Sequence, residues 1–338
     1  MTTNGPIRWG IVGTGSIART FAADLMLLPD HEIAAVGSRA PHTAEAFAAT
    51  FGIPRAYGSY AELAADETVD VVYVATPHNG HLAAARLCLE AGRAALVEKP
   101  LTPRAAEAET LVAVARERGL FLLEGMWTRF NPLVVKLREL VADGAIGEVT
   151  AVYADFCWVP PYDPANRFYS PELAGGALLD LGVYPVSFAW MLLGPPATVQ
   201  ARAALAPTGV DANTGILFGY ESGALALLHC GLTTESPQRA TVTGTRGRIE
   251  VPALFYRPTA MTLHRTGAEP ETFELDLQGN GFTYEAEEVA RCLRAGLLES
   301  PHLPLDESIA ILRTVDEIAA QLRPAGEAPV PAGDAMPA

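Results

Sequence analysis

The chain has 338 residues, of which 49% are hydrophobic, and its formal net charge is −15. This length predicts two domains, since domains usually hold roughly 100–200 residues, and the composition is ample for a globular core. The negative charge argues against nucleic acid and anionic membranes as partners, because both require a basic surface. The longest apolar stretches, such as residues 186–193, are far shorter than the ~20 residues that span a bilayer.

The cysteines and the first residues of the chain indicate the cellular compartment in which the protein is expected. The four cysteines lie far apart, without the CxxC spacing of a metal site: Cys88, Cys157, Cys230 and Cys292. We therefore expect buried, reduced thiols and no metal site. The first residues show no basic region followed by an apolar one, so we expect no signal peptide and a cytoplasmic location.

Short apolar runs alternate with helical patterns over the first 125 residues. Strands are predicted at residues 7–12, 32–36, 69–75, 95–97 and 120–123, and helices at 16–28, 41–50, 79–91 and 103–118. Such alternation is typical of right-handed βαβ units. The predicted fold class is α/β, with residues 1–125 forming a doubly wound parallel sheet of the Rossmann type.

The pattern changes after residue 125. Helices are predicted at residues 132–141, 176–193, 284–295 and 307–322, and strands at 149–158, 198–205, 214–220, 224–232, 240–245, 248–251, 261–265 and 272–275. Consecutive strands on short turns indicate an open, mostly antiparallel sheet. Residues 126–323 are thus predicted to form an α+β domain, and the proline-rich residues 324–338 a disordered tail.

A glycine-rich turn follows the first predicted strand. The residues Gly13, Gly15 and Ala18 fit the pattern G-x-G-x-x-A, and Ser16 and Ile17 open the next helix. Gly13 allows a tight turn, Gly15 lets backbone approach a diphosphate, and Ala18 allows close helix–strand packing. The turn predicts a dinucleotide site at the positive end of a helix, with an ordinary βα turn as the alternative.

The end of the second predicted strand bears on which dinucleotide binds. An NAD site has Asp or Glu there to bind the ribose 2′-hydroxyl, whereas this chain has Ser38 and Arg39. A hydroxyl and a guanidinium suit a 2′-phosphate, which predicts NADP as the cofactor. The alternative is a solvated arginine at the start of a helix.

Five segments of the chain together resemble a known family. They are WGIVGTGSIA at 9–18, VYVATPHNGH at 72–81, VEKPLT at 97–102, EGMWTRFNP at 124–132 and GGALLDLGVYP at 175–185. The chain resembles the Gfo/Idh/MocA oxidoreductases, and more closely the branch of dimeric dihydrodiol dehydrogenases and NADP-dependent D-xylose dehydrogenases.

The turn Glu98-Lys99-Pro100 follows a predicted strand, which places it at the sheet edge where doubly wound folds bind ligands. The proline favours an extended Lys99, whose ammonium can stabilise charge on a substrate oxygen. The resemblance implies that this is the catalytic turn and that Glu98 and Lys99 lie against the cofactor. A surface lysine is the alternative.

Asp180 and Tyr184 are four residues apart and share one face of a predicted helix. The resemblance implies that Tyr184 donates or accepts the proton, in the place where most of the wider family has histidine. We expect Lys99 to lower the pKa of Tyr184, and Asp180 to hold substrate hydroxyls or orient Lys99. Alternatively, Tyr184 is a core residue.

Further residues are weaker candidates. By resemblance, Thr76 and Pro77 line the dinucleotide, and His81 either caps the nicotinamide side or packs. Trp127 and Arg129 either border the substrate pocket or pack between the domains. Polar loop residues often set specificity, which makes Tyr162 and Arg167 weak substrate candidates.

The resemblance implies an NADP-dependent enzyme that transfers a hydride between the nicotinamide and a hydroxyl or carbonyl carbon of a small sugar-like, diol or dicarbonyl substrate. The exact substrate and the direction stay open. Two alternatives are a non-catalytic NADP-binding regulator and a redox-neutral sugar-modifying enzyme that keeps its cofactor. Many relatives pair through the open sheet of the second domain, and the apolar run at 223–231 predicts a homodimer or larger.

Overall fold

A computed structural model describes residues 5–322, so the predicted tail at 324–338 lies outside the described residues. The described chain contains two β-sheets, one of six and one of eight strands. A continuous apolar core extends across both sheets and the helices between them. The predicted α/β fold class is confirmed.

The first sheet is parallel throughout and has the strand order β3-β2-β1-β4-β5-β6. Its strands are β1 (Ile7–Val12), β2 (His31–Gly37), β3 (Arg55–Tyr57), β4 (Val71–Val74), β5 (Ala94–Glu98) and β6 (Leu122–Gly125). Its helices are α1 (Ser16–Leu25), α2 (Pro41–Phe51), α3 (Tyr60–Ala64), α4 (His81–Glu90) and α5 (Ala105–Arg118). The order reverses between β1 and β4, which opens a ligand crevice at their carboxyl ends. β3 and α3 were not predicted, because their three and five residues are too few to show a periodicity.

The second sheet has the order β14-β13-β12-β11-β7-β10-β9-β8. Its strands are β7 (Val149–Cys157), β8 (Thr198–Leu205), β9 (Asp211–Gly219), β10 (Leu225–Gly231), β11 (Ala240–Gly244), β12 (Gly247–Val251), β13 (Ala260–Arg265) and β14 (Glu271–Glu274). Its helices are α6 (Pro132–Ala142), α7 (Val183–Leu193), α8 (Thr283–Arg294) and α9 (Leu305–Gln321). All neighbouring pairs are antiparallel except β7 and β10, which are parallel. The helix α7 packs against β7 and β10 and covers one face of the sheet.

The apolar segment before β8 differs from its prediction in two respects. Instead of one α-helix from Gly176, it contains a π-helical turn at Leu178–Gly182 that runs directly into α7. The helical segment Pro171–Leu193 also begins earlier than the predicted helix at 176–193. It is long and apolar enough to cross a membrane by length and composition alone. In its most apolar window 78% of the residues are buried within the protein, as in a core helix.

The last helix joins the two halves of the chain. It packs against α5 beside the first sheet and against β8 of the second sheet. Its residues Leu305, Ile309 and Leu312 belong to the core beneath the parallel sheet. The domain boundary at residues 125 and 126 remains a prediction, and the end of the chain contributes to both cores.

Candidate active site

The glycine turn lies at the carboxyl end of β1 and opens α1. Gly13 has a φ of +102°, and a Cβ there would lie 2.6 Å from the carbonyl oxygen of Ala75. A Cβ on Gly15 would meet nothing within 4 Å, and no side chain caps the first turn of α1. Ser16 is exposed and Ala18 is buried. The turn therefore offers open backbone N–H groups at a helix start, which fits a diphosphate.

Ser38 and Arg39 follow β2 on the same edge. The Ser38 hydroxyl lies 2.6 Å from Thr43 Oγ1, in the first turn of α2, and Arg39 is exposed. Burial raises the pKa of Tyr60, and the adjacent Arg39 guanidinium opposes this increase. Two hydroxyls and an exposed guanidinium thus surround the end of β2, which fits a ribose 2′-phosphate. Thr43 was not predicted as a site residue, because no sequence motif includes it.

The turn after β4 carries Thr76, Pro77 and His81. The Thr76 Oγ1 is buried without a hydrogen-bond partner among residues 5–322, as expected for a group that faces a ligand. The two ring nitrogens of His81 lie 2.8 Å from the oxygen of Pro100 and 3.0 Å from that of Thr76. Burial lowers the pKa of His81 to about 4, so the ring is neutral. Of the two alternatives for His81, the structure favours packing, since the ring is fully buried between two backbone turns.

Lys99 points from the end of β5 toward the second domain. Its Nζ donates to the backbone oxygen of Asp180 at 2.7 Å and to Asp180 Oδ1 at 3.3 Å. The same Nζ lies 4.8 Å from the centre of the Tyr184 ring. An ammonium has three N–H donors, and the described residues provide acceptors for two of them. One donor is therefore available for a substrate oxygen next to Tyr184.

Asp180 lies buried in the π-helical turn, at the centre of three basic groups. Its Oδ1 accepts from Arg167 at 2.8 Å and Lys99 at 3.3 Å, and it lies 3.8 Å from His78 Nε2. Burial acts to raise the pKa of Asp180, but the charges of Lys99 and Arg167 outweigh it and hold the pKa well below its usual range. Asp180 is therefore ionised, and it fixes the position of Lys99.

Tyr184 lies buried in the first turn of α7, and its hydroxyl accepts a hydrogen bond of 2.9 Å from Trp127 Nε1. Burial, followed by the charge of Glu98, raises the pKa of Tyr184 well above its ordinary value. The expectation that Lys99 lowers this pKa is wrong, because the ammonium faces the ring and is paired with Asp180. Tyr184 is a neutral phenol whose own proton remains free to be donated.

Two buried glutamates lie beneath these groups. Glu98 accepts from the Tyr73 hydroxyl and, at 3.2 Å, from the backbone N–H of Lys99. Glu285 is fully buried, and neither of its carboxyl oxygens has a partner in the described part of the chain. Burial, then the charges of Glu98 and Asp24, raise the pKa of Glu285 well above its usual range, which favours its protonated form.

The weaker candidates separate into two groups. Trp127 and Arg167 contact Tyr184 and Asp180, respectively. Arg129 is buried and bonds to Ser187 and Glu307, both of which lie within the predicted second domain, so these bonds are not contacts between the two predicted domains. No contact joins Tyr162 to Asp180 or Tyr184 in the described structure. It is exposed, packs against Tyr169, and lines a separate groove that includes Leu205 and Leu232.

His78 and Glu285 lie near the site but were not predicted from the sequence. His78 lies within the quoted segment 72–81, two residues after Thr76, and burial lowers its pKa to about 3 despite the nearby Asp180. It is neutral, and its Nδ1 lies 3.2 Å from the backbone oxygen of Ala174. Its position in a turn at the sheet edge could have identified it. Glu285 had no such signal, since it lies near the start of an ordinary amphipathic helix.

Both halves of the chain match models of known protein families. Residues 7–126 match an oxidoreductase family with an NAD-binding Rossmann fold, and residues 134–250 match the GFO/IDH/MocA C-terminal domain. The trans-1,2-dihydrobenzene-1,2-diol dehydrogenase of Mus musculus is 40% identical over 320 residues, which cover 92% of this chain and 95% of the relative. The chain belongs to the Gfo/Idh/MocA oxidoreductase family. The family and the enzyme class predicted from the sequence are confirmed.

Two other proteins that resemble this chain carry NADP in their names or structures. The D-xylose 1-dehydrogenase (NADP(+)) of Hypocrea jecorina is 37% identical over 355 residues, which cover 92% of this chain and 90% of that protein. A 3-ketoreductase from Actinomadura kijaniata, solved with NADP and TDP-benzene, is 30% identical with a TM-score of 0.83. The match covers 94% of this chain and 98% of that one. These relatives agree with the cofactor that was predicted from Ser38 and Arg39.

Proposed function

We propose that this protein is an NADP-dependent oxidoreductase that interconverts a hydroxyl and a carbonyl on a small sugar-like, diol or dicarbonyl substrate. The observation that carries the proposal is the position of the Lys99 ammonium, between Asp180 and the ring of Tyr184, at the carboxyl edge of the parallel sheet. A substrate oxygen there can meet both a cation and a protonated phenol.

NADP is proposed to bind along the same edge. The turn at residues 13–18 would hold the diphosphate, Ser38 and Arg39 the 2′-phosphate, and Thr76 and Pro77 the neighbouring part of the dinucleotide. The unpartnered Thr76 Oγ1 and the open space at Gly15 support this assignment. When bound, the nicotinamide supplies or accepts the hydride.

The protein's own groups handle the charge and the proton. Lys99 would donate its remaining N–H to the substrate oxygen and stabilise negative charge that develops on it. Tyr184 would donate its proton to that oxygen during reduction, and the Trp127 indole would stabilise the phenolate left behind. Arg167, which is half exposed and bonded to Asp180, would face substrate hydroxyls at the entrance.

The activity can be tested by following NADPH oxidation with aldoses, ketoses, diols and α-dicarbonyls in parallel. We expect net oxidation of NADPH with at least one carbonyl substrate. Cofactor that copurifies and shows no net change in absorbance during turnover would indicate the redox-neutral alternative. Binding of NADPH without turnover of any substrate would indicate a regulator.

Cofactor choice can be tested with Ser38→Asp. A carboxylate at the end of β2 would repel a 2′-phosphate and accept from a 2′-hydroxyl, so we expect the NADP/NAD ratio of kcat/KM to fall by about 10-fold or more. The measurement is steady-state kinetics with both cofactors. Thr50→Asp, which adds the same charge at the exposed end of α2, should leave the ratio unchanged. An unchanged ratio in Ser38→Asp would show that this residue does not read the phosphate.

We also propose a homodimer or larger assembly formed through the open face of the second sheet. Exposed apolar side chains lie on this face, and Leu227 of β10 pairs with Tyr153 of β7 and Leu217 of β9 in one row. Contiguous exposed apolar surface of this kind is typical of an interface.

The free, buried cysteines suit a reducing compartment, and we propose the cytoplasm as the location.

The oligomer can be tested with Leu227→Glu, which places a charge in the middle of this apolar row. We expect the wild type to have at least twice the 35.8 kDa mass of the chain, and the variant to fall to the monomer mass. Light scattering after size exclusion measures both. Leu298→Glu, at an exposed leucine outside the sheet, is the matched control. A monomeric wild type would contradict the proposal.

A further inference from the structure

Asp24, in the last turns of α1, is a buried carboxylate that binds a loop of the second domain. It accepts from the backbone N–H of Asn280 at 2.9 Å, from Asn280 Nδ2 at 2.9 Å, and from the backbone N–H of Phe282 at 2.9 Å. Its side chain is almost completely buried, so these bonds compensate for the lost hydration of the charge. One carboxylate therefore ties the cofactor-binding helix to the segment that enters α8.

The loop fits closely around Asp24 because two glycines allow it. Gly279 has a φ of +60°, and a Cβ there would lie 2.5 Å from Asp24 Oδ1. Gly281 has a φ of +103°, and a Cβ there would lie 3.1 Å from the Trp127 ring. The loop backbone is thus pressed between Asp24 on one side and Trp127 on the other.

A series of contacts leads from this loop to the proton donor. The Phe282 ring stacks on Trp127, with ring centres 4.5 Å apart and planes at 19°. Trp127 in turn donates to the Tyr184 hydroxyl at 2.9 Å. Asp24 is therefore connected to Tyr184 through two aromatic rings, although the two residues lie in different domains.

We infer that Asp24 is a positioning residue for the reaction, which sets the Tyr184 hydroxyl relative to the bound dinucleotide through Phe282 and Trp127. The inference rests on the proposed role of Tyr184. The ten residues of α1 form a rigid rod of about 15 Å, with the diphosphate turn at one end and Asp24 near the other. One helix thus fixes both the cofactor and the aromatic pair that holds the proton donor.

The test compares Asp24→Asn with Asp70→Asn. Asparagine turns one acceptor into a donor that faces backbone N–H groups, which should displace the loop. We expect kcat to fall by about 10-fold to 100-fold with little change in KM for NADPH, because a small misplacement of a reacting group is costly. The solvent deuterium isotope effect on kcat should rise, since proton transfer becomes slower.

Asp70 provides the matched control. It is also buried, and it accepts three hydrogen bonds from Arg8 at the opposite end of the sheet. Asp70→Asn should leave kcat unchanged.

A double-mutant cycle that combines Asp24→Asn with Trp127→Phe tests whether Asp24 acts on Tyr184 through Trp127. If Asp24 acts through Trp127, the two losses in kcat will not multiply in the double variant. Multiplying losses, or a normal kcat in Asp24→Asn, would overturn the inference. If Asp24→Asn does not fold, Phe282→Leu replaces it in the cycle with the same expected result. Full activity of Tyr184→Phe would overturn the proposed function and this inference together. An inactive Tyr184→Phe together with a normal kcat in Asp24→Asn would overturn the inference alone.

Discussion

Lys99→Met is expected to lower kcat by about 10²-fold to 10³-fold, the usual effect of removing one preorganised donor to a developing oxyanion. Methionine has a similar length but no charge and no N–H donor. Asp180 keeps its bond to Arg167 at 2.8 Å, so the carboxylate stays paired and the fold should survive. Binding of NADPH should persist, because the turn at residues 13–18 and the end of β2 are unchanged. Stopped-flow hydride transfer and fluorescence titration of NADPH measure the two effects separately.

The chain offers a matched control for this experiment. It contains two lysines, and the second, Lys136, lies on the surface of α6 near Glu139. Lys136→Met removes the same charge far from the sheet edge and should keep normal kcat. Near-normal turnover in Lys99→Met would remove the ammonium from the proposed reaction.

Tyr184→Phe is expected to lower kcat for carbonyl reduction by about 10²-fold to 10⁴-fold, the range attributed to a positioned acid or base. The variant keeps the ring beneath the Lys99 ammonium but has no proton to give. It also leaves the Trp127 N–H unpaired, which should cost about 1–3 kcal/mol of folding free energy. Steady-state kinetics and chemical denaturation measure the two losses. Tyr169→Phe, at a buried tyrosine that donates to the oxygen of Leu232, is the control.

Because the pKa of Tyr184 is raised, kcat of the wild type should depend on pH differently for reduction and for oxidation. The phenol stays protonated through neutral and moderately alkaline pH, because burial and then Glu98 disfavour the phenolate. Reduction, which requires that proton, should therefore show no loss of kcat in this range. Oxidation requires the phenolate as base, so its kcat should rise with pH by up to about tenfold per unit. A reduction rate that falls between pH 7 and 9 in wild type, but not in Tyr184→Phe, would contradict the assigned protonation state.

Much of the cofactor edge could be predicted from the sequence, because its determinants are local. A strand, a glycine turn and a helix start lie within 12 residues at 7–18, and backbone geometry alone brings their N–H groups together. The same holds for Ser38 and Arg39 at the end of β2. Lys99, Asp180 and Tyr184 were found through short motifs, although no local pattern could show that residues 81 positions apart meet.

The α/β class, the order of the longer elements, the family and the residue types that the chemistry needs could all be predicted from the sequence. The packing of distant segments sets which charges compensate one another. Lys99 pairs with Asp180 and not with the phenol, Arg129 bonds to Ser187 of α7 and Glu307 of α9, and burial raises the pKa of Glu285. These outcomes depend on desolvation and on contacts between distant segments. One such contact is the hydrogen bond from the backbone N–H of Phe282 to Asp24, 258 residues away. Burial and long-range pairing are properties of the packed core, and a periodicity read along one segment contains no information about them.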